Sequence, residues 1–467
     1  MSRVADILGE AGHKVTYLEP LFVEKVAAKG PINRNVQIIE VPRSKFIIHL
    51  FTAQKSDSSG SARWETTTLT DFWVTKKYID LLRVAALDSL ERIITDEMMM
   101  NRLKALQFDV AITQPVEWSG YGLFYRLGLK KYLTVFSTSP GMTYSTIFGA
   151  PYAISYAPAM LSRKNERMPF YDRAMNFVYT LMEKPLFDGG YTPFDDLLTR
   201  NDPEFPSIRE LVIQSSFFLP NSEPLIDFPK PKLSKIAFIG GLTVSGLEKR
   251  EKLNEEFDEI LNQRAHTIFI SFGSMARSVD MPRISKETLI KVMNIFSNIT
   301  FIWKYEDQED PILRELKDNV HTVVWAPQLA LLSDKRLTAF ITHAGAGSLQ
   351  EVASSGTKIM CIPLFADQFG NAGQLERVGA AIVFDKAHLK VEKRLVEAIQ
   401  RLISDDRLRI NAEKLAEMIT NRPFSPSEIL VKYTEFAGNY GPFSQLDPYG
   451  RHLSFIEYHL RQKLKGN

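Results

Sequence analysis

VVWAPQLALLSDKRLTAFITHAGAGSLQEVASSGTKIMCIPLFADQ, from Val323 to Gln368, is the stretch whose reading decides the fold. Its apolar run Leu337 to Thr342 (LTAFIT) has the length and composition of a buried parallel strand. His343-Ala344-Gly345-Ala346-Gly347 breaks that strand, and the amphipathic segment that Ser348 opens and Gly356 closes reads as a helix. Glycines in the turn let the backbone approach a ligand. The free N–H groups and dipole of a helix start favour an anion, so the unit suits phosphate. A second short strand, Ile359 to Ile362, runs into PLFADQ and sets Asp367 and Gln368 beyond its carboxyl end, the side on which open α/β sheets keep their ligands.

Taken singly, each piece has an ordinary structural explanation. Ser348-Leu349-Gln350-Glu351 fits a capping box, in which the glutamate satisfies a backbone N–H. A histidine at a strand end is commonly a hydrogen-bonded structural residue, and a tryptophan such as Trp325 a core or rim aromatic. Their joint spacing says more. Trp325, Pro327, Gln328, His343, Gly345, Glu351, Gly356, Pro363, Asp367 and Gln368 fall without insertions into a pattern that resembles the donor-binding signature of the UDP-glycosyltransferase family, which includes the UDP-glucuronosyltransferases. The resemblance implies that Trp325 stacks on uracil and that His343 and Ser348, with the amides after Gly345, hold the diphosphate. It implies that Glu351 accepts the ribose hydroxyls and that Asp367 and Gln368 read the transferred sugar. A base stacked on an aromatic face is worth about 1–3 kcal/mol, and an ionised carboxylate is a pure acceptor suited to hydroxyls. Gly347 stands where many relatives carry Asn, which shifts that phosphate contact to backbone N–H. The family reaction transfers the sugar of a UDP-sugar, a co-substrate, to the hydroxyl of a small apolar acceptor with inversion and release of UDP, and needs neither a cofactor nor a metal.

The 467 residues suffice for two to three domains. At 45% hydrophobic and 24% charged residues the composition is that of a globular protein. With 57 basic against 55 acidic residues, the net charge of +2 asks for neither nucleic acid nor an anionic membrane as partner. Basic runs such as Lys249 to Lys252 are interleaved with acid and read as solvated. The one cysteine, Cys361, cannot close an intrachain disulfide and reads as a small core residue. No Cys or His spacing suits zinc, and a homo-oligomer stays open. The start, MSRVADILGEAGHK, lacks the apolar core of a signal peptide, and no apolar run reaches the roughly 18 residues of a membrane span. Family members carry both features and sit in the endoplasmic reticulum membrane with a lumenal domain. Beside them, the sequence as written reads as cytosolic and as truncated at both ends.

Working outward, Arg3 to Ala11 reads as a helix and Val15 to Leu18 as a strand, without the strand that precedes this helix in relatives; in a doubly wound sheet that omission leaves two edges unpaired. Residues 30–105 read as mostly polar and helical. Phe108 to Thr113, Tyr132 to Ser137 and Leu211 to Leu219 read as strands, Pro220 to Lys235 as a linker, and Ile236 to Gly241 as the opening of the second half. Thr267 to Met275 is a strand ending in Ser271-Phe272-Gly273-Ser274, and Ser274 there would face phosphate from the opposite side of the cleft. After Val391 the chain is helical, through Val391 to Ser404, Arg407 to Thr420, Glu428 to Ala437 and Arg451 to Leu464. The expected fold is α/β, with two Rossmann-like domains facing a cleft in the GT-B manner: an acceptor-binding domain over 1–235, a donor-binding domain over 236–425, and helices over 426–467 that return to the first domain.

One part of the family pattern is not intact. The family's general base is a histidine in an N-terminal loop that this sequence lacks, supported by an aspartate in the motif FDxxxAD. Here Phe108 begins FDVAITQ, which puts Gln114 at the aspartate's place, and Glu117 is nearby but out of register. An amide cannot ionise, and losing general-base assistance removes roughly 10²–10⁴-fold in rate. Alongside a transferase, the residues therefore allow a non-catalytic UDP-sugar-binding or partner-binding protein. His13, in the AGH turn, is not the family's base.

Overall fold

The computed structural model of the chain describes residues 1–22, 30–56, 63–64, 68–200, 202–244, 253–274 and 276–453. In the first half, α1 (Ser2–Glu10) leads into β1 (Val15–Pro20), which pairs in parallel with β2 (Val36–Val41). Next come β3 (Ala111–Thr113), α2 (Ser119–Arg126), β4 (Tyr132–Phe136), α3 (Phe170–Phe187), α4 (Ile208–Gln214) and β5 (Phe218–Pro220). Strands β3, β4 and β5 form a separate parallel ladder, so the sheet is broken between β1 and β3 as the sequence suggests. Helix α1 lies over the break: Val4, Ile7 and Leu8 pack with Val15 of β1 and Ile112 of β3 in one cluster.

Three elements differ from the sequence reading. Leu211 to Ile213, expected in a strand, are helical, because Ser207 Oγ accepts from Glu210 N–H at 3.2 Å and caps α4. Residues 30–105 contain β2 as well as helices, its alternation turning Ile39 and Val41 inward. Ile236 to Gly241, expected to open the second half, lies along the edge of β5 instead: Ala237 N–H donates to Phe218 O at 3.1 Å and Ile239 N–H to Pro220 O at 3.0 Å. Lys249 to Lys252 lie outside the described residues, as does Arg451 to Leu464 beyond Leu453.

The second half holds β6 (His266–Ser271), β7 (Ile299–Lys304), β8 (Val320–Val323), α5 (Gln328–Ser333), β9 (Leu337–Thr342), α6 (Ala346–Ser355), β10 (Lys358–Cys361), α7 (Gln368–Arg377) and β11 (Ala381–Val383). All of its strands pair in parallel, in the order β11-β10-β9-β6-β7-β8. Alternate residues feed opposite faces. Ile268, Ile270, Phe301, Trp303, Ile341 and Met360 enter one core, while Phe269, Ile302, Phe340, Ile359 and Cys361 enter the other. A sheet buried on both faces accounts for the near-continuous apolar runs of its strands.

Helices α8 (Asp406–Thr420) and α9 (Pro426–Tyr440) end the described chain's long elements. A capping box of Ser425 and Glu428 with Pro426 at the first turn starts α9, whose Leu430 and Ala437 join Leu133, Val135 and Leu219 of the first half. The return to the first domain is thus an apolar contact, fastened by Lys131 Nζ donating to Gly438 O at 2.7 Å.

Candidate functional site

Strands β6 and β9 are neighbours from which the chain proceeds to opposite sides of the sheet, so a crevice opens beyond their carboxyl ends. The turn through Gly273 and Ser274 enters it from β6, and His343 enters it from β9. The two meet at the imidazole. A Cβ on Gly273 would stand 2.6 Å from His343 Cε1, and one on Gly345 2.6 Å from Nε2, so both positions need glycine; Gly273 also has φ of +83°. Burial, and after it the ammonium of Lys304, push the imidazole down to about 4, which leaves it neutral at pH 7. Ser274 is exposed at the rim of the same turn.

Ala344 turns the chain at φ of 63°, a left-handed conformation costing a non-glycine residue about 1–3 kcal/mol, and Gly345 then caps α6. The helix begins at Ala346, two residues before Ser348. Ser348 therefore stands inside the first turn, no side chain caps the helix, and the capping-box explanation of Ser348 and Glu351 fails. Both side chains instead meet Gln328, the first residue of α5, whose Nε2 donates to Ser348 Oγ at 2.9 Å and to Glu351 Oε2 at 2.5 Å. Burial raises the Glu351 carboxyl above its ordinary value, and the bond from Gln328 opposes that shift. At Gly347 a side chain would meet open space.

Trp325 follows β8 and is 72% exposed, so it is no core aromatic. Lys304, at the end of β7, sets its Nζ 5.9 Å from the Trp325 ring centroid while donating to Gly273 O at 2.9 Å and pairing with Glu306 at 3.0 Å. Lys304 thus ties the aromatic, the glycine turn and His343 together. The sequence reading passed over it; a lone cation closing an apolar strand, as in FIWK, was the available signal.

Asp367 stands at the N-cap position of α7 without a side-chain capping bond, and burial raises its carboxyl while a 2.9 Å bond from Asn371 Nδ2 lowers it. The same Nδ2 donates to Ala344 O at 3.0 Å, linking Asp367 to the strained turn. Gln368 is buried, and its Oε1 accepts from Leu364 and Phe365 N–H at 2.9 and 3.1 Å. Across the cleft, Ser139, Asp227 and Lys230 of the first half line a narrow cavity of about 30 Å³ with Asp367, Asn371 and Gln374. Gln374 Nε2 donates to Asp227 Oδ1 at 3.0 Å, and Arg377 to Asp227 O at 3.0 Å, so the halves touch there. Gln114 directly follows β3, at that strand's carboxyl end. Glu117 is largely buried, and burial pushes its carboxyl above the ordinary value.

The sequence profile of the family described as UDP-glucoronosyl and UDP-glucosyl transferase matches residues 1–462. A Caenorhabditis elegans protein bearing a UDP-glucuronosyltransferase name is 27% identical over 461 residues, covering 98% of this chain and 86% of that protein. UDP-glucuronosyltransferase 1A6 of Homo sapiens is 27% identical over 373 residues, 79% of this chain and 68% of its own. Among solved structures, the glycotransferase of kitacinnamycin superposes with a TM-score of 0.57 at 18% identity over 96% of this chain and 95% of that one. The glycosyltransferase VinC in complex with DTDP does so at 0.57 and 17% identity, over 94% and 96%. These neighbours share the GT-B fold of two Rossmann-like halves. With residues 1–462 matched by its profile and a fold arranged in that manner, the chain belongs to the UDP-glucoronosyl and UDP-glucosyl transferase family.

Proposed function

We propose that the chain transfers a glucuronosyl or glucosyl group from a UDP-sugar to the hydroxyl of a small apolar acceptor, with inversion and without a metal. The observation that supports this most is the meeting of Gln328, Ser348 and Glu351 beside the exposed Trp325 at the crevice of the second sheet. In this reading Trp325 stacks on uracil, Glu351 accepts the ribose hydroxyls, and the N–H groups opening α6 receive the diphosphate. His343 adds a neutral hydrogen-bonding ring, not a charge, as negative charge grows on the leaving UDP. Asp367 and the amide of Gln368 face the sugar. A structural neighbour described in complex with DTDP supports a nucleoside diphosphate as the ligand. The first half, with the 236–241 segment along β5, would supply the acceptor side, the second half the donor side, and α9 the return that fastens them.

The acceptor hydroxyl must lose its proton as it attacks the anomeric carbon, since even a phenol ionises only near pH 10, roughly. Gln114 cannot help as a carboxylate would, and that residue favours a second reading in which the chain binds UDP-sugar without turning it over. Incubation with UDP-glucose or UDP-glucuronate and a simple phenol, in the presence of a metal chelator, separates the two. The first reading expects a β-glycoside from the α-configured donor, seen by proton NMR. UDP binding with no glycoside from a range of phenols and alcohols would support the second and overturn the first.

A further inference from the structure

The first half holds its own group of uncommitted hydrogen-bonding atoms, apart from the crevice of the second sheet. Arg83, on the long helix Thr68–Thr95, is buried and forms no ion pair among the described residues. Its one side-chain hydrogen bond runs from Nη2 to Leu186 O at 2.5 Å, and its Nε is buried without an acceptor. The guanidinium stands over the Trp118 ring, with Cζ 5.3 Å from the centroid. That aromatic face answers part of the charge and leaves the N–H donors unmet. Trp118 Nε1 and Tyr144 Oη are likewise without a partner, in side chains that are fully buried. Burial pushes the Tyr144 phenol up, and the cation of Arg83, close by, opposes that shift, so the phenol keeps its proton and can donate it.

Buried polar groups are nearly always satisfied, and a buried guanidinium is normally given a carboxylate. Here the neighbouring carboxylates are committed elsewhere. Asp188 accepts from Tyr191 Oη at 2.8 Å and from Arg209 Nε at 3.0 Å, and Asp80 pairs with Lys76. The position of the group points to a ligand. Trp118 closes the loop after β3, and Tyr144 lies on the short helix Gly141–Ile147 after β4, so both stand beyond the carboxyl ends of paired parallel strands. Trp118 also holds φ of 59°, a left-handed conformation of the kind kept at ligand clamps. Met142, on the same short helix as Tyr144, lines the cavity between the halves. The walls are aromatic: the Tyr191 ring is 4.6 Å from that of Trp118 between centroids, and Phe136 and Phe187 are 4.4 and 5.2 Å from Tyr144.

We propose that Arg83, Trp118 and Tyr144 form the anion end of the acceptor site, and that the acceptor is an aromatic hydroxy compound with a carboxylate remote from its hydroxyl. The assignment rests on the reading of the first half as the acceptor side. An ionised carboxylate only accepts and takes several donors at once, which matches a guanidinium, an indole N–H and a phenol O–H. The aromatic walls suit the acceptor's ring, and a carboxylate at its far end leaves the hydroxyl toward the cleft.

Direct binding to the full chain tests this without turnover. Isothermal titration at pH 7, with UDP present, compares p-hydroxyphenyl alkanoates of graded chain length with their methyl esters. At least one acid should bind about tenfold or more tighter than its ester. Arg83→Met should weaken that acid at least about tenfold and its ester by less than about threefold, with UDP affinity unchanged as a check on folding. If Arg83→Met does not fold, Trp118→Phe and Tyr144→Phe, which each remove one donor and keep a ring, carry the test, with about a three- to tenfold loss for the acid alone. Equal binding of acid and ester across the series, a preference that survives these substitutions, or no binding of any acid overturns the proposal. Glycoside formation from neutral phenols is scored separately. A preference for the acid without any product upholds this site and removes the transferase reading; product from neutral phenols with no preference for the acid does the reverse.

Discussion

At His343 the chain keeps an imidazole uncharged by burial and by the nearby Lys304, and that has an acid-side consequence. The folded ring protonates only near about 4, the unfolded one near 6.5, so between those values the unfolded chain binds the extra proton. Stability from this group is complete above the unfolded value and is lost as pH falls through the window, on the order of 3 kcal/mol in all. Urea midpoints taken from pH 7 to pH 4 should therefore fall less steeply for His343→Gln than for the wild type; parallel slopes would refute the assignment. Glu351 makes the opposite kind of prediction. Its carboxyl is kept buried at a cost that burial alone does not repay, so Glu351→Gln should leave the melting temperature unchanged or higher while weakening UDP binding by about 1.5–3 kcal/mol. A loss of both together would mark the residue as structural. Trp325, His343, Ser348 and Glu351 were legible in the sequence through the family resemblance, and the structure places Trp325 and His343 beyond the ends of β8 and β9 and Ser348 and Glu351 in α6. Lys304 and Asn371 were not, since their importance lies in contacts between segments far apart along the chain.

Among the elements, α6 shows how local geometry overrides a local motif. The letters Ser348 to Glu351 satisfy a capping box, yet the left-handed turn at Ala344 starts the helix earlier and frees both side chains for Gln328. The glycines of this region then differ in what they permit. Gly347 lies in the helix with open space around it, so Gly347→Ala should stabilise by up to about 1 kcal/mol in denaturant titration. Gly273→Ala and Gly345→Ala press on the imidazole and should destabilise by about 1–3 kcal/mol. If all three variants behaved alike, the wedge of His343 between two turns would be wrong. The strands of the second sheet were legible because both faces are buried, giving runs too apolar to misread. Leu211 to Ile213 were not, because a short apolar run fits strand or helix and only the Ser207 cap decides. Ile236 to Gly241 went astray for another reason: partner choice between two sheets is not written in a strand's own residues.

For the whole molecule, the two halves meet across a cavity of about 30 Å³ lined by Ser139, Asp227 and Lys230 on one side and Asp367, Asn371 and Gln374 on the other. The Gln374–Asp227 and Arg377–Asp227 contacts latch the halves together there. Gln374→Ala should loosen that latch, raising the radius of gyration seen by solution X-ray scattering without changing UDP affinity; an unchanged radius would place the hinge elsewhere. The two-half plan was foreseeable from the alternation of strands and helices and the returning helix α9 from the family resemblance, whereas the contacts between the halves depend on side-chain bonds that no periodicity encodes. The central claim is that the crevice beyond β6 and β9, faced by Trp325, holds a uridine diphosphate. Isothermal titration of the full chain with UDP tests it most directly: the wild type should bind, and Trp325→Ala, an exposed position with little part in folding, should weaken binding by about 1–3 kcal/mol. A folded chain that does not bind UDP, or binds it equally well without Trp325, would contradict the account.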